Sequence, residues 1–142
     1  MAEYKEMIIL IAEDDDGHAE LIKEGLGDAG VCNNTIRFSN GEEVWDFLSE
    51  KGENIKDRNK SYLLLLDLNM PKMDGLEVLR RLKGNSDLKE IPVMMLTTTD
   101  DPREVEECYK LGCNMYITKP VDFVKFAETL KRLGLFIQIV KI

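Results

Sequence analysis

The sequence predicts an α/β fold built on a parallel sheet that is covered by helices on both faces. Short apolar runs alternate along the chain with longer stretches in which apolar residues recur at helical spacing. Four consecutive leucines stand directly before Asp67, and they leave no polar position for the solvent-facing side of an antiparallel strand. Strand–helix alternation and fully apolar strands together indicate a doubly wound parallel sheet.

Five strands are expected in this sheet. Four of them are clear apolar runs, and the second in chain order is weaker because polar residues are mixed into it. The polar segment before the third strand, residues 49–61, has no periodicity and is predicted to be a loop. The runs that mark the strands are residues 7–12, 35–38, 62–66, 93–96 and 116–117.

A helix is expected after each strand. Asn40 stands three residues before Glu43, which is the spacing of a helix cap, Asp101 precedes Pro102 at a second helix start, and Gly112 stands where that helix ends. The five apolar stripes are Ala19, Ile22, Leu26 and Ala29; Val44, Phe47 and Leu48; Leu76, Leu79 and Leu82; Val105, Cys108 and Leu111; and Val124, Ala127 and Leu130.

The segment after the fifth helix exceeds a five-strand, five-helix pattern. Residues 134–142, with the sequence GLFIQIVKI, can place alternate side chains on two faces, so they are predicted to form one more strand. The chain is accordingly divided into a main domain, residues 1–133, and a strand-like extension, residues 134–142. Such a tail pairs along the domain's own surface or covers a partner.

The composition excludes several classes of function. With 142 residues the chain is long enough for one domain, and its 19 basic and 27 acidic residues give a net charge of -8. An acidic protein is a poor partner for nucleic acid. The apolar run near the N-terminus is too short for a secretory signal or a membrane span. Cys32, Cys108 and Cys113 lack the spacing of a zinc site or disulfide framework, so a cytoplasmic protein is expected.

Charged and hydroxyl side chains follow the predicted strands. Glu13 and Asp14 follow the first, Asp67 the third, Thr97 the fourth and Lys119 the fifth. Because the carboxyl ends of parallel strands meet at one edge of a sheet, these residues are expected to converge. Clustered carboxylates repel unless a cation lies among them, and an all-oxygen set suits Mg²⁺. Since an aspartate can attack phosphorus, the patch predicts Mg²⁺-dependent phosphoryl chemistry.

Each of these signals has a simpler explanation when it is taken alone. An acidic run is usually a solvated loop, an aspartate after a strand can cap a helix, and Lys119 could be a surface lysine. The four sets occur together, at the correct strand ends and in the correct chain order, and this combination favours the phosphoryl site.

Four motifs resemble the response-regulator receiver family: IILIAEDD, LLLLDLNMPKMDGLEVL, VMMLTTTD and CNMYITKP. The resemblance covers the chain from Met7 to Leu133. It implies a flavodoxin-like (βα)5 fold with strand order 2-1-3-4-5, and a phosphoryl group received from a sensor histidine kinase. The implied roles are phosphoacceptor for Asp67, Mg²⁺ ligands for Glu13, Asp14, Asp67 and the backbone carbonyl of Asn69, phosphoryl contacts for Thr97 and Lys119, and an aromatic switch for Tyr116.

The resemblance also bears on residues around this set. It implies a cis peptide bond between Lys119 and Pro120. Beside the metal pair, Asp15 could contribute through water, and Asp16 is expected to cap the first helix. His18 falls early in that helix, and periodicity predicts that it is exposed.

A narrower likeness comes from the long loop before the third strand, the sequence ITKPVDFVKF and the tail LFIQIVKI. These features resemble single-domain receivers that are partnered with phytochrome-type histidine kinases. That group implies a homodimer formed through the fourth helix, the fifth strand, the fifth helix and the tail. No room is left after Leu133 for a DNA-binding domain, so the expected output is protein docking, dimer exchange or onward phosphotransfer.

Two alternatives remain open. A phosphatase of the haloacid-dehalogenase type also uses an aspartate nucleophile, but it needs a second acid two residues later, where this chain has Asn69. The second alternative is a receiver that binds partners without being phosphorylated. It is disfavoured because none of the residues needed for phosphorylation is missing. The expected protein is therefore a phosphoacceptor signalling domain, which catalyses only its own phosphorylation and dephosphorylation, rather than an enzyme.

Overall fold

A computed structural model describes residues 6–50, 59–120 and 122–140 of the protein. Its five strands pair in parallel in the order β2-β1-β3-β4-β5, which confirms the predicted sheet. The weak second strand is real and lies at one edge of the sheet. The strands are β1 (Glu6–Ala12), β2 (Thr35–Phe38), β3 (Lys60–Leu66), β4 (Val93–Thr97) and β5 (Met115–Thr118).

Each strand is followed by a helix, as predicted. Asn40 caps the second helix by accepting a hydrogen bond from the backbone N–H of Glu43 at 2.8 Å, and Asp101 and Gly112 bound the fourth. The predicted loop at 49–61 falls largely on residues 51–58, outside the described part of the chain, and its last two residues belong to β3. The helices are α1 (Asp16–Asp28), α2 (Gly41–Leu48), α3 (Gly75–Lys83), α4 (Pro102–Leu111) and α5 (Phe123–Val140).

The four leucines of β3 explain why both faces of the sheet are apolar. Leu64 and Leu66 lie in the core between the sheet and helices α2, α3 and α4. Leu63 and Leu65 lie in the second core, beneath α1 and α5. Successive side chains of a strand point to opposite faces, so a strand covered on both sides must be apolar at every position.

The prediction of a strand at residues 134–142 is wrong as far as Val140, because α5 continues through that residue without a break. Residues 141 and 142 lie outside the described ranges. Leu130, Leu133 and Ile137 are buried at spacings of three and four, which is the period of a helix. A mostly apolar run fits both periods, and packing against α1 selects the helical one.

A glycine makes that packing possible. A Cβ placed on Gly134 would lie 2.5 Å from the Cβ of Ala29 at the end of α1. Only a residue without a side chain lets the two backbones approach so closely. The predicted division after residue 133 therefore falls inside a continuous helix.

None of the helices formed by the described residues combines the length and the apolar character that crossing a membrane requires.

Candidate functional site

The carboxyl ends of four strands bring four buried polar residues together. Glu13, Asp67, Thr97 and Lys119 are exposed by only 2%, 7%, 0% and 4% respectively. Among the described residues, Asn40 is the one other polar or charged residue in this burial class. Burying a charge is unfavourable unless the charge is paired or binds an ion. The charges of the cluster therefore require pairing with one another or a bound ion.

Lys119 is the cation at the centre of this cluster. Its Nζ contacts Oε1 of Glu13 and lies 3.2 Å from Oδ2 of Asp67. The backbone N–H of Lys119 donates to the carbonyl oxygen of Thr97 at 2.7 Å, which fixes the chain just beyond β5. The Lys119–Pro120 peptide bond is trans, so the expectation of a cis bond is wrong for this structure.

Asp67 is held by the backbone around it. Its N–H donates to the carbonyl oxygen of Ala12 at 3.0 Å, extending the β1–β3 pairing to the site. A Cβ placed on Gly75 would lie 2.1 Å from the carbonyl oxygen of Asp67. A glycine at this position lets the start of α3 close against the backbone of Asp67. Sequence reasoning missed Gly75, although it stands directly after Asp74, the cap of α3.

Three carboxylates lie close enough to share one cation. Oxygen atoms of Glu13, Asp14 and Asp67 all lie within 4.8 Å of one another, with Asp14 exposed and the other two buried. An oxygen-only set of two or three carboxylates suits Mg²⁺, which retains several waters in protein sites. The residues present therefore fit the predicted ion.

Burial controls the charge of Glu13. The pKa of Glu13 is raised to about 7, because loss of hydration and the neighbouring charge of Asp67 raise it by more than the contact with Lys119 lowers it. The net direction is upward because removal from water is the largest effect. Burial therefore favours the protonated form of Glu13.

The residues after Asp14 differ from their expected roles. Asp15 caps α1 by accepting a hydrogen bond from the N–H of His18 at 2.9 Å, whereas Asp16 is the first helical residue. The expectation that Asp16 caps the helix is therefore wrong. Asp16 instead pairs with Arg37, at 2.6 Å between Oδ1 and Nη1.

His18 is partly exposed, and its ring also contacts residues of the site. Its side chain is 40% exposed, its ring stacks on Phe126 at 5.9 Å, and its Nδ1 lies 3.4 Å from Nζ of Lys119. The cap at Asp15 aims the first turn of α1 at the site. Helical side chains lean toward the N-terminus of their helix, and this was the signal that periodicity alone missed.

Tyr116 and Asn69 both form hydrogen bonds to Thr99 in the loop after β4. The hydroxyl of Tyr116 donates to the carbonyl oxygen of Thr99 at 2.5 Å, and burial raises the pKa of that hydroxyl to about 12. The side chain of Asn69 donates to Oγ1 of Thr99 at 2.9 Å, and its backbone N–H donates to Oδ1 of Asp67 at 3.3 Å. The loop after β4 thus links the predicted switch residue to the rim of the site.

Comparison with known proteins agrees with this geometry. The family model described as the response regulator receiver domain matches residues 9–131. The chain belongs to the response regulator receiver family. It is a signalling domain of the type that a histidine kinase phosphorylates on an aspartate.

Several relatives share both sequence and fold with this receiver domain. Response regulator Rcp1 from Synechocystis sp. is 39% identical over 112 residues, covering 79% of this chain and 76% of that protein. A response regulator receiver domain from Rhodospirillum rubrum superposes with a TM-score of 0.85 at 43% identity, covering 93% of this chain and 94% of that one. The phosphorylated cyanobacterial phytochrome response regulator RcpA gives a TM-score of 0.83 at 33% identity, covering 93% of both chains.

Proposed function

We propose that Asp67 is the residue that accepts the phosphoryl group. The observation that carries this assignment is the position of its carboxylate, which is buried, bonded to Lys119 and within 4.8 Å of carboxylate oxygens of Glu13 and Asp14. Asp14, Asp15 and Asp16 are exposed, and Asp15 and Asp16 are engaged in the helix cap and in the pair with Arg37.

The transfer forms a bond between an oxygen of Asp67 and phosphorus as the P–N bond of the kinase's phosphohistidine breaks. The electron pair of that bond stays on the imidazole nitrogen. Lys119, which already donates to Oδ2 of Asp67, donates to an oxygen of the arriving phosphoryl group. The buried hydroxyl of Thr97 donates to another of these oxygens. Lys119 is hydrogen-bonded to Asp67 before transfer, so this donor needs little reorganisation.

Mg²⁺ is the proposed cofactor, with Glu13, Asp14, Asp67 and the backbone carbonyl of Asn69 as its ligands. When bound, it neutralises the negative charge that gathers at phosphorus during transfer. The clustered carboxylate oxygens support this assignment. A solved structure of Rcp1, with a TM-score of 0.83 at 35% identity and covering 91% of this chain and 92% of that one, is a Mn²⁺-bound form.

Phosphorylation is proposed to act on the surface formed by α4, β5 and α5. A phosphoryl group adds nearly two negative charges. As Thr97 and Lys119 turn toward it, the contact between Tyr116 and Thr99 changes, and Tyr116 acts as the switch. The same surface, with the C-terminal end of α5, is the proposed homodimer interface. The likeness to a phytochrome response regulator supports a phytochrome-type histidine kinase as partner, in the cytoplasm.

The alternatives are less well supported. The side chain two residues after Asp67 is an amide that donates to Thr99, so it cannot serve as the general acid of a phosphatase. Every residue that phosphorylation requires is present, which disfavours a receiver that acts without it.

The test is phosphorylation by acetyl phosphate in the presence of Mg²⁺, followed by mass spectrometry of the peptide that contains Asp67. Wild-type protein gains the phosphoryl group and Asp67→Asn does not. Asp87→Asn, which changes an exposed aspartate in the loop after α3, is the matched control and is labelled like the wild type. Labelling of Asp67→Asn to the wild-type level would overturn the proposal.

A further inference from the structure

One guanidinium group holds the loop that carries the proposed metal ligands. Arg37 lies near the end of β2, and its Nε and Nη2 donate to the backbone carbonyl oxygen of Glu13 at 2.9 and 2.8 Å. Its Nη1 donates to Oδ1 of Asp16 at 2.6 Å. All three hydrogen bonds reach across from β2 to the segment between β1 and α1.

These bonds fix both ends of a short loop. Glu13 begins the loop and Asp16 is the first residue of α1. Asp14 and Asp15 therefore lie between two residues that are both hydrogen-bonded to Arg37. The backbone N–H of Glu13 also donates to the carbonyl oxygen of Phe38 at 3.0 Å. Both backbone polar groups of Glu13 are therefore hydrogen-bonded to β2. The position of its Cα, from which the side chain extends into the site, is thereby fixed.

The positive charge of Arg37 disfavours binding of Mg²⁺ by the nearby carboxylates. A cation near a site for Mg²⁺ weakens binding of the ion, so electrostatics alone would favour a neutral residue here. The side chain is 22% exposed, and part of its charge is screened by Asp16 and by solvent. The charge of Arg37 lowers the affinity for Mg²⁺, yet its side chain makes three hydrogen bonds to the loop. Its contribution to the site is therefore to hold the loop in place.

We infer that Arg37 is a positioning residue, which holds the segment from Glu13 to Asp16 in the conformation that binds the divalent cation. This inference rests on the proposed metal site and deepens it. Arg37 touches neither Asp67 nor the incoming phosphoryl group in this account. It acts through the backbone of Glu13, whose carboxylate faces the site.

The two possible effects of Arg37 have opposite signs, which makes a decisive comparison possible. If its charge dominates, Arg37→Gln binds Mg²⁺ more tightly and Arg37→Lys behaves like the wild type. If its geometry dominates, both variants bind more weakly, because lysine keeps the charge but lacks the planar fork that grips one carbonyl with two donors.

The experiment measures the affinity for Mg²⁺ and for Mn²⁺ by calorimetric titration at pH 8 and constant ionic strength. We expect both Arg37 variants to lose roughly tenfold or more in affinity, as is usual when a residue supporting a metal ligand is removed. Asp16→Asn loses less, because the two bonds to the Glu13 carbonyl remain. Arg81→Lys, which alters another arginine paired with a carboxylate, is the matched control and binds normally.

A second measurement separates positioning from general stability. Hydrogen exchange of the amides of Asp15 and His18 is followed in EDTA, together with thermal unfolding. We expect these two amides to exchange faster in Arg37→Lys, while amides of the β3 core keep their protection. A uniform loss of protection would mean that Arg37 only stabilises the fold, and would overturn the inference even if metal affinity falls.

The remaining outcomes distinguish the role of Arg37 from the existence of the metal site. If the wild type binds the ions and Arg37→Lys binds them equally well, the role of Arg37 is wrong and the metal site stands. If the wild type binds neither Mg²⁺ nor Mn²⁺, the proposed metal site is itself wrong, and the role of Arg37 falls with it.

Discussion

The backbone N–H of Tyr116 donates a hydrogen bond to the hydroxyl of Tyr109 at 3.0 Å. This bond joins α4 to β5, the edge strand of the sheet, at the residue proposed as the switch. Its donor points away from β4, so without Tyr109 it would have only water as a partner. Tyr109 thus couples the proposed output helix to the strand beside it.

Replacing Tyr109 with phenylalanine removes only that bond. We expect the free energy of unfolding to fall by about 0.5–1 kcal/mol, since water can replace the lost hydroxyl at a half-exposed position. Hydrogen exchange of the Tyr116 amide should become faster. Tyr116→Phe, which retains the backbone bond and loses the contact with Thr99, is the control. Unchanged protection of the Tyr116 amide in Tyr109→Phe would contradict the prediction.

Lys119→Met leaves two buried carboxylates, Glu13 and Asp67, without their cation. Removing one partner of a buried ionic cluster is strongly destabilising, and we expect a loss of about 3 kcal/mol at pH 8 in EDTA. Added Mg²⁺ should restore more stability to this variant than to the wild type, because it supplies the missing charge. Thermal unfolding with and without Mg²⁺ measures both effects.

The control for this change is Lys110→Met. Lys110 pairs with Glu106 on the exposed surface of α4, and loss of such a pair costs less than about 1 kcal/mol. Equal destabilisation by the two substitutions would mean that the cluster at the strand ends is not an electrostatically coupled unit.

The raised pKa of Glu13 predicts opposite effects of pH on folding and on metal binding. Because the folded-state pKa of about 7 lies above the unperturbed 4.5, the folded protein holds a proton that the unfolded chain has lost. This contribution to stability is complete below pH 4.5 and disappears as the pH rises through 7. The apparent affinity for Mg²⁺ should rise roughly tenfold from pH 6 to pH 8 as Glu13 ionises.

Unfolding in EDTA and calorimetric titration with Mg²⁺, both repeated between pH 5 and pH 8, measure these two dependences. Glu13→Gln cannot titrate, so both curves should flatten over that interval. If the slopes survive this substitution, a group other than Glu13 is responsible for them.

Gly75→Ala should damage the site through the backbone. The added methyl group would lie 2.1 Å from the carbonyl oxygen of Asp67, so the start of α3 must move. We expect a loss of about 1–3 kcal/mol in stability, the usual cost of overpacking, together with slower phosphorylation by acetyl phosphate.

A second glycine provides the matched control. Nothing lies within 4 Å of a Cβ placed on Gly27 in α1, so Gly27→Ala should stabilise the protein by about 0.5–1 kcal/mol through helix propensity. A stability loss in Gly27→Ala equal to that in Gly75→Ala would show that the close approach at Asp67 is not the cause.

The proposed dimer can be tested on the exposed side of α5. Leu135 is 49% exposed, and with Val124 it is one of two large apolar side chains that the described part of α5 exposes. Leu135→Lys is expected to weaken self-association without reducing stability, and sedimentation with and without phosphorylation measures this. Glu128→Gln, an exposed change earlier in the helix that also raises the net charge by one, controls for added charge. Truncation after Leu133 would be unsuitable, because it removes the buried Ile137.

Much of the site follows from strand order and polar position alone. Glu13, Asp67, Thr97 and Lys119 were identified because each stands at the end of an apolar run, and a parallel sheet brings those ends to one edge. The roles of Asp15, Asp16 and His18 were not resolved, because a shift of one residue in the start of α1 exchanges the cap with the first helical residue. The start of α1 also determines the direction in which the side chain of His18 points.

The sequence by itself determined the five strands, the five helices and the edge at which the acidic cluster, the hydroxyl and the lysine meet. These features depend on local periodicity and on chain order, and both are visible in one dimension. Only the tertiary structure decided that residues 134–140 continue α5, that Arg37 holds the carbonyl of Glu13, and that Gly75 closes against Asp67. Each of these depends on a contact with residues outside its own helix or strand. The sequence does not specify which residue an apolar, basic or small side chain will contact until the fold brings the two together.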